Sequence, residues 1–381
     1  MLATQVRDRP TSQRPLGVIY LPSSSRTVGT GHRDLTGFEL ARRIAALREV
    51  EFAGCYDSSR VPPGKLYFVP AYALVGDQAR KLGIETEHDL FGGVVPHDFV
   101  ATKAITHPLI ARDREAPQGW SHDFPHEVRE IVLFGFTAFC RTDARQAGFL
   151  ALERGPIRLK PGAGDGGRGQ VVVARSSELD AAIETVDPAD LGRCGVVIEE
   201  DLLDVSTRSI GQVIIGDLSA AYCGTQHLTQ DNEGRPAYGG STLFVVRGGF
   251  DELLRVELPC PAQEAVKYAH RYDLAAYRCF PELIGSRRNY DVLQGRNDAG
   301  QWRTGVLEQS WRLGGASGAE ILALEALKAN PALNGVCAAC VEVYGSTAKI
   351  PDDAVVYFQG DDPCVGPLTK YARIERQCDA F

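Results

Sequence analysis

Lys160 is followed by Pro-Gly-Ala-Gly-Asp-Gly-Gly-Arg-Gly, so five glycines, at 162, 164, 166, 167 and 169, fall within nine residues of a lysine. Glycine lets backbone come close to a ligand and turn its N–H groups inward, which suits a polyphosphate. Lys160 and Arg168 would add neutralising charge. The run lacks the GxxxxGK[ST] pattern, and a strand follows it where a P-loop or a dinucleotide fingerprint would need a helix. A ligand-free glycine-rich hairpin turn is the competing reading. Lys103, in Ala101-Thr-Lys-Ala-Ile-Thr-His-Pro108, is by itself an ordinary surface lysine.

A second stretch offers different chemistry. Arg287-Arg-Asn-Tyr-Asp291 is followed, beyond the turn Arg296-Asn-Asp-Ala-Gly300, by Val306-Leu-Glu308-Gln-Ser-Trp-Arg312-Leu-Gly-Gly. On an antiparallel hairpin one register sets Asp291 and Glu308 on the same face. Two carboxylates placed so oppose one another unless a cation lies between them, and Mg2+ commonly takes one or two carboxylates plus nucleotide phosphates. Arg312, in the turn that follows, has the fork that binds a phosphoryl group or a carboxylate. A solvated acidic hairpin with a surface arginine is the plain alternative.

The elements that must position these residues alternate. Leu16 to Leu21 reads as a buried strand, Leu35 to Leu47 as a helix, Leu66 to Val69 as a strand and the segment near Leu74 to Leu82 as a helix. That alternation implies a small parallel sheet with helices on its faces. Residues 96–150 read as helices and loops. Beyond them, Gly155 to Val173 reads as strand, glycine turn, strand, and Val196 to Glu200 as a buried strand. Ile210 to Ile215 and Leu218 to Thr225 form a hairpin about Gly216-Asp217, and helices are expected over Pro261 to Tyr272 and Gly318 to Asn330. The last fifty residues read as mixed. The Ser- and Gly-containing stretch Ser23 to His32 follows the first strand, where doubly wound sheets meet their ligands, and is expected to touch substrate or to be a solvent loop.

Composition narrows the class. The 381 residues are 44% hydrophobic and 24% charged, ordinary for a globular chain, with a formal net charge of −8. Broad nucleic-acid binding is not expected at that charge. No apolar run is long enough to span a membrane, and the polar start lacks a signal-peptide core. Ten cysteines scattered over the length are expected to be mostly reduced, in the cytoplasm. Cys337-Ala-Ala-Cys340 lacks a second pair for zinc and is expected to be two small buried cysteines. His97, His107, His122 and His126 are read as loop or capping residues. Pro125, between the last two, argues against a helix there.

The order of these pieces resembles the ATP-grasp superfamily of ligases over roughly residues 16–330. It runs as a lysine before a helix, a lysine with a glycine loop, an acidic strand end Val197-Ile-Glu199-Glu200, then R-x-x-D and E-x-x-x-R-x-G-G. Glu308-Gln-Ser-Trp-Arg312-Leu-Gly-Gly is similar to the E-x-N-x-R-x-G-G segment of L-amino-acid ligases and to its counterparts in biotin carboxylase and carbamoyl-phosphate synthetase. The whole chain also resembles an uncharacterised bacterial family of ATP-grasp-like proteins. The resemblance implies an α/β and α+β molecule, an ATP-grasp fold preceded by a Rossmann-like βαβ domain. Its parts would be residues 1–95 as the preceding domain, 96–200 with the glycine loop, 201–330 with the metal-binding hairpin, and a mixed segment 331–381. It implies that Lys103 and Lys160 contact the nucleotide phosphates and that Gly164, Gly166, Gly167, Arg168 and Gly169 form the loop over them. Glu199, Glu200 and Leu202 would be the hinge at the adenine. Asp291 and Glu308 would bridge Mg2+ to ATP, with Ser310 at the position where the family carries Asn. Arg312 and Lys160 would stabilise phosphoryl transfer.

The activity so implied is an ATP- and Mg2+-dependent ligase that activates a small carboxylate, an amino acid or peptide, as an acyl phosphate for attack by an amine. Its partners would be those two small molecules, with a homodimer allowed and neither nucleic acid nor membrane. A nucleotide-binding protein without turnover, acting in regulation or assembly, is the alternative, supported by Ser310. Carboxylase-like activation of bicarbonate ranks third, since no biotin-carrier motif is visible.

Overall fold

The computed structural model describes residues 15–22, 29–60, 62–164 and 169–378. Gly166, Gly167 and Arg168 of the glycine run, and positions 23–28 of the serine-rich loop, lie outside the described residues.

Val18, Ile19 and Tyr20 are all buried, as a strand covered on both faces requires. This strand, β1 (Gly17–Leu21), leads to α1 (His32–Arg48), β2 (Glu51–Cys55) and β3 (Leu66–Pro70). The three strands form a parallel sheet in the order β2-β1-β3. The α1 helix opens with Asp34 in its first turn and ends at Glu49, which takes a left-handed conformation (φ 55°). The stretch near residues 74–82 is shorter in helix than its pattern predicts. It divides into β4 (Leu74–Val75) and α2 (Gly76–Lys81), and β4 pairs in parallel with β5 (Gly93–Val95).

Two 3₁₀ turns, Asp98–Ala101 and Lys103–Thr106, follow, then α3 (Asp123–Val128). Here the sequence expectation fails, because α3 contains Pro125. The proline is the third helical residue, in the first turn, where an N–H has no partner within the helix and its loss costs little. A four-stranded antiparallel sheet comes next, in the order β6-β9-β7-β8, from β6 (Gly135–Ala138), β7 (Ile157–Pro161), β8 (Val171–Val173) and β9 (Val196–Glu200). Helices α4 (Arg141–Leu152), α5 (Ser176–Glu184) and α6 (Pro188–Cys194) cover it through Ala147, Leu179, Ile183 and Leu191. Strand β6 was not expected in a region that reads as helices and loops.

The largest layer is an eight-stranded antiparallel sheet in the order β15-β14-β10-β11-β12-β16-β18-β17. Its members are β10 (Leu203–Ile215), β11 (Leu218–Gln230), β12 (Pro236–Arg247), β14 (Arg287–Arg296), β15 (Trp302–Ser310), β16 (Gly335–Tyr344), β17 (Val355–Asp362) and β18 (Gly366–Cys378). Between them lie α7 (Phe250–Arg255), α8 (Cys260–Cys279) and α9 (Ser317–Ala329), while β13 (Ile284–Gly285) pairs with β5 instead. Side chains alternate across this sheet as strand geometry demands. Ala220 and Tyr222 of β11 join a core with α1 and α9, and Ala221 and Cys223 join a second core with α8. Helix α8 places Ala262, Ala265, Val266, Ala269, Tyr272 and Ala276 on its buried side, and its small alanines allow close approach to the sheet. The final segment, read from sequence as mixed, supplies three strands that extend the sheet beyond β12, where β16 pairs with β12, β18 with β16 and β17 with β18. Cys337 and Cys340 are three apart on β16, so they face opposite sides, as a shared metal site would not allow.

Candidate functional site

Strands β14 and β15 close over the turn at 297–300, where Gly300 adopts φ 73° and donates its N–H to the Asn297 carbonyl at 2.8 Å. The ladder that results pairs Asp291 directly with Glu308, and Asn289 with Ser310. The two carboxylates therefore share a face. Burial first, and then the charge of Glu308, pushes Asp291 up to about 6. Two carboxylates brought together without a cation behave in this way. Asn289, two residues before Asp291 and on its face, donates Nδ2 to Asp291 Oδ1 at 2.9 Å. Its own Oδ1 lies 2.9 Å from the Tyr222 hydroxyl.

Lys103 reaches this pair from the second 3₁₀ turn. Its Nζ is 2.9 Å from Glu308 Oε2 and donates to the carbonyl of Gly164 at 2.5 Å, although the residue is only 5% exposed. One lysine thus ties the acidic hairpin to the start of the glycine run. Gln309 holds that turn in place from behind. Strand alternation turns it to the opposite face, where its Nε2 donates to the carbonyls of Val100 at 2.9 Å and Thr102 at 2.8 Å. The glycine run leaves β7 through Gly162, where a Cβ would stand 1.9 Å from the Cys194 carbonyl oxygen, so only glycine fits. Gly164 donates its N–H to Pro161, and Gly169 re-enters with φ 72°.

Lys160 and Glu199 form a second buried group. Their strands are neighbours in the four-stranded sheet, and the side chains form an ion pair with each residue under 5% exposed. The other Glu199 oxygen, Oε2, is 3.1 Å from His107 Nε2. Burial alone would raise the Glu199 carboxyl; Lys160 and His107 outweigh it and hold it down to about 2. His107 Nδ1 is buried with no hydrogen-bond partner among the described residues. Glu200 turns away from this group toward the hairpin, accepting from Asn297 Nδ2 at 3.1 Å with Arg303 at 3.7 Å. Its N–H is bonded to the Phe134 carbonyl at 2.8 Å, and Leu202 is buried in the crossing to β10.

Arg312 lies just past β15, half-buried, and donates Nη1 to the Leu313 carbonyl at 2.8 Å. Its own carbonyl accepts from Arg287 Nη1 at 2.5 Å. Arg287 in turn forms a fully buried ion pair with Glu320 of α9, with Nη2 and Oε1 2.7 Å apart. Arg287 Nη1 also lies 3.0 Å from the Ser310 carbonyl and 3.4 Å from Ser310 Oγ, so a cation already faces that hydroxyl.

Of the predicted residues, Lys103, Gly164, Asp291 and Glu308 come together in one group, and Lys160 and Glu199 in a second with His107. Sequence reasoning gave Asn289, Arg287, Glu320 and Gln309 no role in the site, and read His107 as a loop or capping residue. Asn289 was findable from its two-residue offset to Asp291. The others act through partners distant in sequence. Among the described residues, no group of three or more His, Cys, Asp and Glu side chains is arranged to hold a metal ion unaided. Two carboxylates sharing a face fit a hard cation that takes its remaining oxygens from water or a bound ligand.

Solved structures with the same architecture include N5-carboxyaminoimidazole synthase from Aspergillus clavatus in complex with ADP and 5-aminoimidazole ribonucleotide. It is 12% identical over 94% of each chain, with a TM-score of 0.50. The biotin carboxylase domain of 2-oxoglutarate carboxylase from Hydrogenobacter thermophilus, with MgADP, ADP and bicarbonate, is 12% identical over 93% of this chain and 86% of its own, with a TM-score of 0.51. These likenesses show the fold alone, an ATP-grasp fold of mixed helix and sheet. No curated protein matches the chain. Residues 20–372 match the family described as protein of unknown function, DUF3182, and the chain belongs to that family.

Proposed function

We propose that the chain is an ATP- and Mg2+-dependent ligase that joins a small carboxylate, an amino acid or peptide, to an amine. The observation that carries this reading is the junction at Lys103, where one buried ammonium spans the glycine run and the carboxylate pair. Residues 1–95 then form the domain that precedes the grasp, and residues 96–200 and 201–330 the two halves that close on the nucleotide. The described part of the glycine run, with Lys103 and Lys160, would meet the phosphates, and the hinge at Glu199, Glu200 and Leu202 the adenine. Each lysine has three donors. Lys103 uses two on Gly164 and Glu308, and Lys160 uses one on Glu199, so both retain protons for phosphate oxygens.

Asp291 and Glu308 would hold Mg2+, which supplies neutralising charge at the phosphates when bound. Arg312 would stabilise the charge of the transferring phosphoryl group, and closure of the loop would keep water from an acyl phosphate. Catalysis would rest on positioning and electrostatics. A second reading, nucleotide binding without turnover, draws support from Ser310, whose hydroxyl faces Arg287.

Thermal-shift titration with ATP, ADP, GTP and AMP, with and without Mg2+, tests the proposal, since a ligand bound only by the folded state raises stability. A Mg2+-dependent shift with ATP, followed by ADP release on screening amino acids, is the expected outcome. No shift in a cooperatively melting protein would refute it, and a shift without ADP release would favour the second reading. Asp291→Asn should abolish the Mg2+ component and stabilise the metal-free protein by about 1–2 kcal/mol, because it removes one of two opposed charges. Unchanged Mg2+ response in the folded variant would sink the metal assignment.

A further inference from the structure

The segment that carries Lys103 and His107 runs on to a surface cleft of about 230 Å³ between residues 108–112 and α3. Its floor is apolar, from the buried Leu109 and Pro125, and its charged or titratable lining is Arg112, Arg129, His122 and His126, with no acidic residue. The chain as a whole carries a net charge of −8. Two of the neighbouring acids are engaged elsewhere: Glu127 pairs with Arg278 at 2.5 Å and Glu130 with Arg271 at 3.2 Å, both arginines on α8. Arg114, just outside the cleft, lies 3.5 Å from Asp143. Among the described residues, Arg112 and Arg129 have no carboxylate partner.

We infer that this cleft is a binding site for a small phosphate-bearing compound, with the phosphate on Arg112 and Arg129 and an apolar body on Leu109 and Pro125. A guanidinium fork matches phosphate oxygens, and a concave basic surface concentrates anions. The volume lies just below the usual range for ligand pockets, which fits a phosphate with a single ring or short chain. The cleft is separate from the carboxylate pair but shares its scaffold. The Pro108 carbonyl accepts from Thr137 N–H at 2.9 Å, and Thr137 Oγ1 donates to the Ala104 carbonyl at 2.7 Å, beside Lys103.

The test is calorimetric titration of the full chain with phenyl phosphate, comparing the parent, Arg112→Gln/Arg129→Gln and Arg114→Gln. All three positions are exposed, so folding should survive, and equal melting temperatures confirm it. Saturable binding by the parent is expected, weakened roughly 100-fold in the double variant and unchanged in Arg114→Gln. No binding by the parent, undiminished binding by the double variant, or an equal loss in Arg114→Gln would each overturn the proposal.

Discussion

Glu199 carries its charge in a place with almost no water, and it does so because a lysine and a histidine grip its two oxygens. Breaking one member of a buried ion pair leaves the other uncompensated, at a cost of about 3–5 kcal/mol. Glu199→Gln should therefore lower stability by about that much near pH 7, as read by urea denaturation. The pH dependence has a definite sign. The folded carboxyl is held at about 2, below its ordinary 4.5, so its contribution is complete above about pH 4.5 and is lost as pH falls toward 2. The gap between parent and variant should close over that window. A gap that stayed constant from pH 6 to pH 2.5 would mean that Glu199 acts through packing and not through charge. Nothing local to Glu199 in the sequence announces this arrangement, since Lys160 and His107 lie on separate elements. Asp291 and Glu308, by contrast, were legible as a candidate pair because a turn signal joins their strands, but the register that sets them opposite one another rests on a one-residue shift between Asp291 and Val292 that no turn signal or two-residue period announces.

At the level of elements, β15 serves two sides at once. Glu308 and Ser310 face the site, while Gln309 faces away and ties down the carbonyls of Val100 and Thr102. Those bonds set the 3₁₀ turn that presents Lys103. Gln309→Leu leaves two buried carbonyls without their donor, each lost bond worth about 1–3 kcal/mol. It should destabilise the protein by about 2–4 kcal/mol and weaken nucleotide binding without touching the ligand. If the folded variant bound nucleotide as the parent does, Lys103 would not depend on the turn. Hairpins and amphipathic helices such as α8 were readable from periodicity and turn chemistry. Strand β6 has four residues and too little pattern to read, and α3 was hidden by a proline whose place in the first turn is known only once the helix start is known. Strand β16 is nearly continuously apolar, and β18 mixes charged with apolar residues, so neither shows clean alternation.

At the scale of the molecule, the chain closes on itself. His32 at the start of α1 donates its N–H to Asp362 Oδ2 at 2.6 Å, and its Nδ1 is 2.9 Å from the same oxygen, across 330 residues. Val336, Ala338, Cys340, Tyr357 and Ala372 belong to the same core as α1, α9 and the first sheet. A chain ending at residue 330 would leave the β12 edge unpaired and that core open. It should fail to melt cooperatively and should bind an apolar dye, and a cooperative transition near that of the full chain would show residues 331–381 to be dispensable. Cys340 lies within this core, its sulfur 3.0 Å from the Ala319 N–H, and burial first of all pushes its thiol up to about 12. Cys260 and Cys364 are exposed. The protein therefore carries its own clock for opening. A thiol reagent should label the two outer cysteines at once and Cys340 only as fast as the central layers separate. Mass spectrometry of that one peptide would time the event with no probe added.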